Sequence, residues 1–254
     1  MPTLCGIGTA PRTEDLPSTK ADFAGQLVEF VITRRHVTGD QSWVVGRWCQ
    51  QVPRTQVTGA DALVIEGSEA GGHIGPVSTS VLAQEILPTI TDVPVFVAGG
   101  IGRGEQIATY LMMGAAGVQL GTRFVCATEC IAHQNFKNLF IKSAARNAMP
   151  SIQVDPDFPV IPVRAIMNKA TEDFTRFQYE VIAEFKSGTL DKKDAQLKIE
   201  HYWAGALRKA VVDGDIENGS VMAGQSVGLV EKIQPMQEIM DELVSEAETF
   251  IAKF

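Results

Sequence analysis

From residue 59 onward, short continuous apolar runs alternate with segments whose apolar positions recur at helical spacing, and glycines punctuate each change. "DALVIE" (61–66), bounded by Gly59 and Gly67, has the continuous pattern of a strand buried on both faces. "STSVLAQEILPTI" (78–90) predicts a helix with Ser78 or Thr79 as N-cap and Val81, Leu82 and Ile86 on one face. "VPVFVAGG" (93–100) predicts a second buried strand, and "GEQIATYLMMGA" (104–115) a second helix stopped by Gly114. "GVQLGT" (117–122) predicts a third, shorter strand. Strands and helices alternating at this pace make βα units and a parallel sheet.

Beyond residue 122 the pattern turns mostly helical. "TECIAHQNFKNLFIKSAAR" (128–146) has helical spacing, and "NAMPSIQVDPDFPVIPV" (147–163) reads as a proline-rich loop. "ATEDFTRFQYEVIAEFKSG" (170–188) and "KKDAQLKIEHYWAGALRKAVVDG" (192–214) predict two amphipathic helices. In the last segment Met236, Ile239, Met240, Leu243, Val244, Ala247, Phe250 and Ile251 form one apolar face, the signature of a packing helix. Residues 1–58 carry no clear period and stay unassigned, with one candidate strand near Gly6-Ile7-Gly8. The chain thus divides into an N-terminal segment 1–58 and a region 59–254 containing a helical segment at about 125–215.

Composition narrows the function classes. A net charge of -8 over 254 residues argues against a nucleic-acid groove or an anionic membrane surface as partner. No run approaches the roughly 18 uninterrupted apolar residues of a membrane-spanning helix. "MPTLCGIGTAPRTEDL" lacks the basic start and apolar core of a secretory signal, so a cytoplasmic protein is expected. The four cysteines include Cys126 and Cys130 one helical turn apart, but no second ligand pair is spaced to complete a metal site. They read as buried thiols in a reducing compartment, and no metal is expected.

The candidate chemistry lies in the turns after the strands. "VFVAGGIGRGEQ" places a glycine-rich turn between a strand and a helix start, where backbone N–H groups and the helix dipole favour an anion. It is not a dinucleotide fingerprint. Gly100, Gly102 and Gly104 are spaced GxGxG, and the next strand ends in "QLGT" with no acidic residue for a ribose. Gly121-Thr122 supplies a second bare backbone at the end of the following strand. Two consecutive βα turns of this kind are the usual phosphate site of a (β/α)8 barrel, and a single terminal phosphate, as in flavin mononucleotide (FMN), suits them. "EGSEAGGHIG" (66–75), one strand earlier, reaches the same end of the sheet. There Gly71 and Gly72 would let the backbone approach a flat ring, and Glu66 could hydrogen-bond ring or ribityl groups. His73 has the pKa range of an acid–base group.

"EGSEAGGHIG", "VPVFVAGGIGRGE", "GVQLGTRFV" and "NGSVMAGQSVGLV" together resemble, in order, the motifs of the nitronate monooxygenase family, which includes FMN-dependent enoyl-ACP reductase II enzymes. The resemblance runs from about residue 58 to the C-terminus. It implies an α/β, (β/α)8 TIM-barrel-type fold with an added helical segment. It also implies FMN contacts from Glu66, Gly71, Gly99, Gly100, Gln119, Leu120, Gly121 and Thr122. His73 matches the catalytic histidine, and Met222 to Gln225 would border the flavin ring.

Two activities follow from the resemblance: oxidation of an alkyl nitronate with O2, or reduction of an enoyl thioester with NAD(P)H as reductant. Family members begin with four βα units before the "EAGGH" loop, including a "P…GGM" segment and an asparagine on the flavin. At about 30 residues each, these need about 120. Here 58 residues precede the matched region, and only "CGIGTAPRTEDL" resembles part of the missing half. The barrel is therefore expected to be incomplete on its N-terminal side, with weakened FMN binding and homo-oligomeric association through open strand edges. A truncated, non-catalytic family member is the alternative of another class.

Overall fold

The computed structural model describes residues 43–47 and 62–254, except 157 and 159. The candidate strand near Gly6-Ile7-Gly8 and the boundary at residue 58 lie outside the described residues. The chain divides into two compact units. The first is residues 1–69, 75–121 and 235–254; the second is 70–74 and 122–234.

In the first unit, strands β1 (Trp43–Arg47) and β2 (Ala62–Glu66) are parallel, with Arg47 opposite Glu66. The turn that follows leads into helix α1 (Thr79–Ile86). The sequence left residues 43–47 unassigned because nothing periodic marks them; pairing with β2 makes them a strand. Strands β4 (Val95–Ala98) and β5 (Gly117–Gln119), joined through helix α2 (Gly104–Met112), continue the parallel sheet in the order β1-β2-β4-β5. Among the described residues each parallel strand lies beside its predecessor, without the reversal that marks a doubly wound sheet. This is the winding of a (β/α)8-barrel-type fold, with four of its strands among the described residues. Ala62, Leu63, Val64 and Ile65 and all four residues of β4 are buried, as their unbroken apolar runs predict.

In α1 the buried positions are Thr79, Leu82 and Ala83, and Val81, expected inside, is 50% exposed. The buried face runs through Leu82 and Ala83 and on to Leu87, just past the helix end. The C-terminal helix α7 (Met236–Ile251) buries Ile239, Leu243 and Ala247 and packs on α2. Contact is close at Gly104, where a Cβ would collide with the Leu243 carbonyl oxygen and the Ala247 nitrogen. Gly114, with φ +101°, ends α2 as expected.

The second unit holds what the sequence did not show. Strand β3 (Gly72–His73), β6 (Ala148–Pro150) and β7 (Val163–Ile166) form an antiparallel sheet in the order β3-β7-β6. Two of these strands fall at the ends of the segment read as a proline-rich loop. The expected helix at 128–146 is shorter. A single turn, α3 (Thr122–Val125), precedes it, and helix α4 (Gln134–Lys142) starts only at His133, whose ring accepts from the Asn135 N–H at 3.1 Å.

Helices α5 (Lys169–Lys186) and α6 (Lys192–Val211) match their apolar periods and are capped by Asn168 and Asp191. Phe174 packs on Trp203 with ring centroids 4.1 Å apart, beside Phe158, Val181 and Ile199. A second cluster surrounds Phe136, Phe140, Val221 and Val227. Burying each such side chain contributes roughly 1.5–3 kcal/mol.

Candidate active site

The first unit carries the two glycine turns on neighbouring strands. Ala98, the last residue of β4, is paired with Glu66 on one side and Gln119 on the other. The strand ends therefore bring Glu66, Gly99, Gly100, Gln119, Leu120 and Gly121 to one edge of the sheet. Gly99 (φ +94°) and Gly100 (φ +76°) both occupy the left-handed region, so glycine is required at each. A Cβ at Gly100 would lie 3.0 Å from the Glu69 Cβ. Gly121 differs: it is exposed, its φ is ordinary, and a Cβ there would meet nothing within 4 Å. None of the backbone hydrogen bonds among the described residues takes the N–H of Gly100 or Gly121.

The start of α2, behind the glycine turn, has a partner within the protein. The Gly104 N–H donates to Glu246 Oε2 at 2.7 Å, with Arg103 3.8 Å from the other oxygen. A carboxylate from α7, 142 positions away, already fills the positive end of this helix. An anion at that end contributes on the order of 1 kcal/mol. Glu246→Ala should therefore lower the Tm by about 3 °C, and Glu246→Gln, which keeps an acceptor, by less. A thermal melt in which the alanine variant matches wild type would show that the contact contributes nothing.

Glu69 answers why so many polar groups follow β2. Its Oε2 accepts from the Thr79 N–H at 2.9 Å and lies 3.0 Å from Thr79 Oγ1, so it caps α1. Ser78, an expected cap, makes no side-chain cap bond. Burial and, second, the negative charge of Glu69 push the Tyr110 hydroxyl above its ordinary pKa.

In the second unit, β3 pairs with β7, placing Gly72 opposite Arg164 and His73 opposite Val163. Ile74 donates to the Pro162 carbonyl at 3.0 Å. His73 is thus held on a sheet and not on a free loop. Gly71 is needed for a chain crossing: a Cβ there would lie 2.6 Å from the Ala223 carbonyl carbon and the Gly224 nitrogen. Met222 is bridged to Ala165, and its sulfur lies 3.6 Å from the Cβ position of Gly72. Thr122 Oγ1 accepts from the Gly224 N–H at 2.9 Å, which leaves its proton available to donate.

Burial pushes the Cys126 thiol up to about 11, so it is protonated at neutral pH and is a poor metal ligand. Among the described residues, no group of three or more His, Cys, Asp or Glu could hold a metal ion. No helix among them is long and apolar enough to cross a membrane.

Sequence reasoning missed Glu246 as a functional group, and no local signal could have found it. Thr79 and Glu69 were visible in the sequence, but their bond depends on how the turn folds.

Comparison with known proteins agrees with this layout. A family model described as nitronate monooxygenase matches residues 36–246, reaching upstream of the motifs that start near residue 58. A dehydrogenase of a bicyclic carboxyl-CoA, "(3aS,4S,5R,7aS)-5-hydroxy-7a-methyl-1-oxo-octahydro-1H-indene-4-carboxyl-CoA dehydrogenase" of Rhodococcus jostii, is 27% identical over 74% of this chain and 59% of its own length. A probable nitronate monooxygenase of Staphylococcus aureus is 27% identical over 74% of this chain and 51% of its own. The chain thus spans only about half to three-fifths of the length of these relatives.

Among solved structures, FabK from Thermotoga maritima superposes with a TM-score of 0.63 at 33% identity, covering 77% of this chain and 57% of FabK. A nitroalkane oxidase from Streptomyces ansochromogenes shares the fold, with a TM-score of 0.61 at 23% identity over 84% of this chain and 59% of its own. With most of its described length matched by the family model, the chain belongs to the nitronate monooxygenase family, a family of oxidoreductases.

Proposed function

We propose that the chain is an FMN-dependent oxidoreductase that oxidises alkyl nitronates with O2. The observation that carries this reading is the strand-end pair of turns. Two left-handed glycines after β4 and Gly121 after the adjacent β5 stand at the ends of paired strands, and among the described residues no backbone hydrogen bond takes the N–H of Gly100 or Gly121. Side chains are excluded at Gly99 and Gly100, and donors are available, so the residues fit a single phosphate.

In the first unit, the N–H groups of Gly99, Gly100 and Gly121 would hold the phosphate. Glu66, Gln119 and the main chain of Leu120 would hydrogen-bond the ribityl chain and ring. In the second unit, Thr122 has a hydroxyl proton to donate and Gly71 a bare backbone. His73 would take or return the substrate proton, its main chain fixed by β7. Met222 to Gln225 would help keep water out. When bound, FMN would supply the two-electron chemistry; the protein supplies position and access.

A second reading is favoured by the 33% identity to FabK and by the carboxyl-CoA named for the Rhodococcus relative. In it the substrate is an enoyl thioester, the reductant is NAD(P)H, and His73 protonates the carbon next to the thioester. Parallel assays with propionate 3-nitronate under O2 and with crotonyl-ACP plus NADH or NADPH separate the two. Turnover of the nitronate alone is expected. Turnover of crotonyl-ACP alone would replace the first reading by the second. A colourless, self-associating protein inactive in both assays would support a non-catalytic family member instead. A cytoplasmic location and a small-molecule substrate belong to the same reading.

A further inference from the structure

Thr79 sits where three segments of the first unit meet. It is 2% exposed, and its hydroxyl oxygen lies 3.0 Å from Glu69 Oε2, 3.0 Å from the Gly99 carbonyl oxygen and 3.4 Å from the Ala98 carbonyl oxygen. All three neighbours are acceptors, and a hydroxyl has one proton to give. The Glu69 carboxylate does not depend on that proton, because the Thr79 N–H already donates to it at 2.9 Å. Glu69 therefore stays anchored when the hydroxyl donates to the Gly99 carbonyl. Gly67 makes room for this arrangement: a Cβ there would collide with Thr79 Oγ1 and the Thr79 backbone nitrogen.

The consequence follows from peptide geometry. The Gly99 carbonyl and the Gly100 N–H belong to one planar trans peptide and point in opposite directions. A bond from Thr79 to the Gly99 oxygen therefore turns the Gly100 N–H away from Thr79, where it has no acceptor among the described residues. Without that bond, two successive glycines leave the peptide free to rotate, since glycine has no steric preference for either sign of φ.

We infer that Thr79, anchored by Glu69, is a positioning residue for anion binding at the Gly99–Gly100 turn. It holds the Gly99 carbonyl inward so that the Gly100 N–H faces a terminal phosphate. The inference rests on the FMN reading above and deepens it. Thr79 touches neither substrate nor cofactor and acts only through the orientation of one peptide.

The test compares FMN with riboflavin, which lacks the phosphate, by flavin-fluorescence titration of the purified full chain. Thr79→Val removes the hydroxyl with little change of shape. It should weaken FMN about tenfold, the effect of one hydrogen bond, and leave riboflavin affinity unchanged. Thr79→Ser should restore most of the FMN preference. Glu69→Ala should give an FMN-selective loss of similar sign, and it serves as a second probe should Thr79→Val fold poorly.

Equal weakening of FMN and riboflavin in these variants would mean a general structural role and overturn the inference. So would an unchanged FMN affinity in Thr79→Val. Wild-type protein with no preference for FMN over riboflavin would instead overturn the phosphate reading itself, and the inference with it.

Discussion

Gly121→Asp should yield a folded protein that purifies without flavin. The position is exposed, has no left-handed backbone requirement, and offers open space to a side chain, so the fold should accept it with a Tm within a few degrees of wild type. A carboxylate there would stand against the proposed phosphate. Two charges about 4 Å apart in a partly exposed site repel by up to about 4 kcal/mol, so FMN affinity should fall by about 100- to 1000-fold. Gly100→Asp should also lose flavin, but less informatively. Its φ of +76° and the Glu69 Cβ 3.0 Å from a new Cβ would strain the turn whether or not a ligand binds there. Stoichiometric FMN in purified Gly121→Asp would remove Gly121 from the binding site.

His73→Ala should lower turnover by about 10²–10⁴-fold while flavin content stays at the wild-type level. The structure sharpens this expectation. His73 is held by main-chain pairing with Val163, and Ile74 by its bond to Pro162, so truncating the imidazole leaves the backbone of β3 in place. Absorbance of the purified variant reports the flavin, and steady-state rates with the substrate that wild type turns over report the chemistry. Loss of flavin together with the histidine would assign His73 a structural role.

The legible part of this chain was the part with a period. "DALVIE" and "VPVFVAGG" announce buried parallel strands because both faces of each strand are covered, which removes polar alternation. Helices α5, α6 and α7 announce themselves because each covers one side of a core. The glycine pair at 99–100 was readable as a turn, since a side chain is penalised wherever φ is positive.

The antiparallel sheet of β3, β6 and β7 was not readable. Its strands are two to four residues long, too short to show alternation, and one of them sits in the "AGGH" stretch that looks like pure loop. Strand β1 was missed because its five residues gain their identity from a partner and not from a pattern.

The sequence by itself determined the family, the βα winding of the first unit and the identity of the residues proposed to bind and react. Local chemistry suffices for the winding, because strand burial, helix faces and glycine turns each leave a mark within a dozen residues; the four ordered motifs carry the resemblance that points to the family and its residues. Only the tertiary structure decided what those residues are held by. Glu246 reaches Gly104 across 142 positions, Thr79 bridges Glu69 and Gly99, and Gly71 is packed against Ala223 and Gly224. Such pairings have no sequence signature, because a hydrogen bond depends on where two backbones are brought together and not on how far apart they lie in the chain.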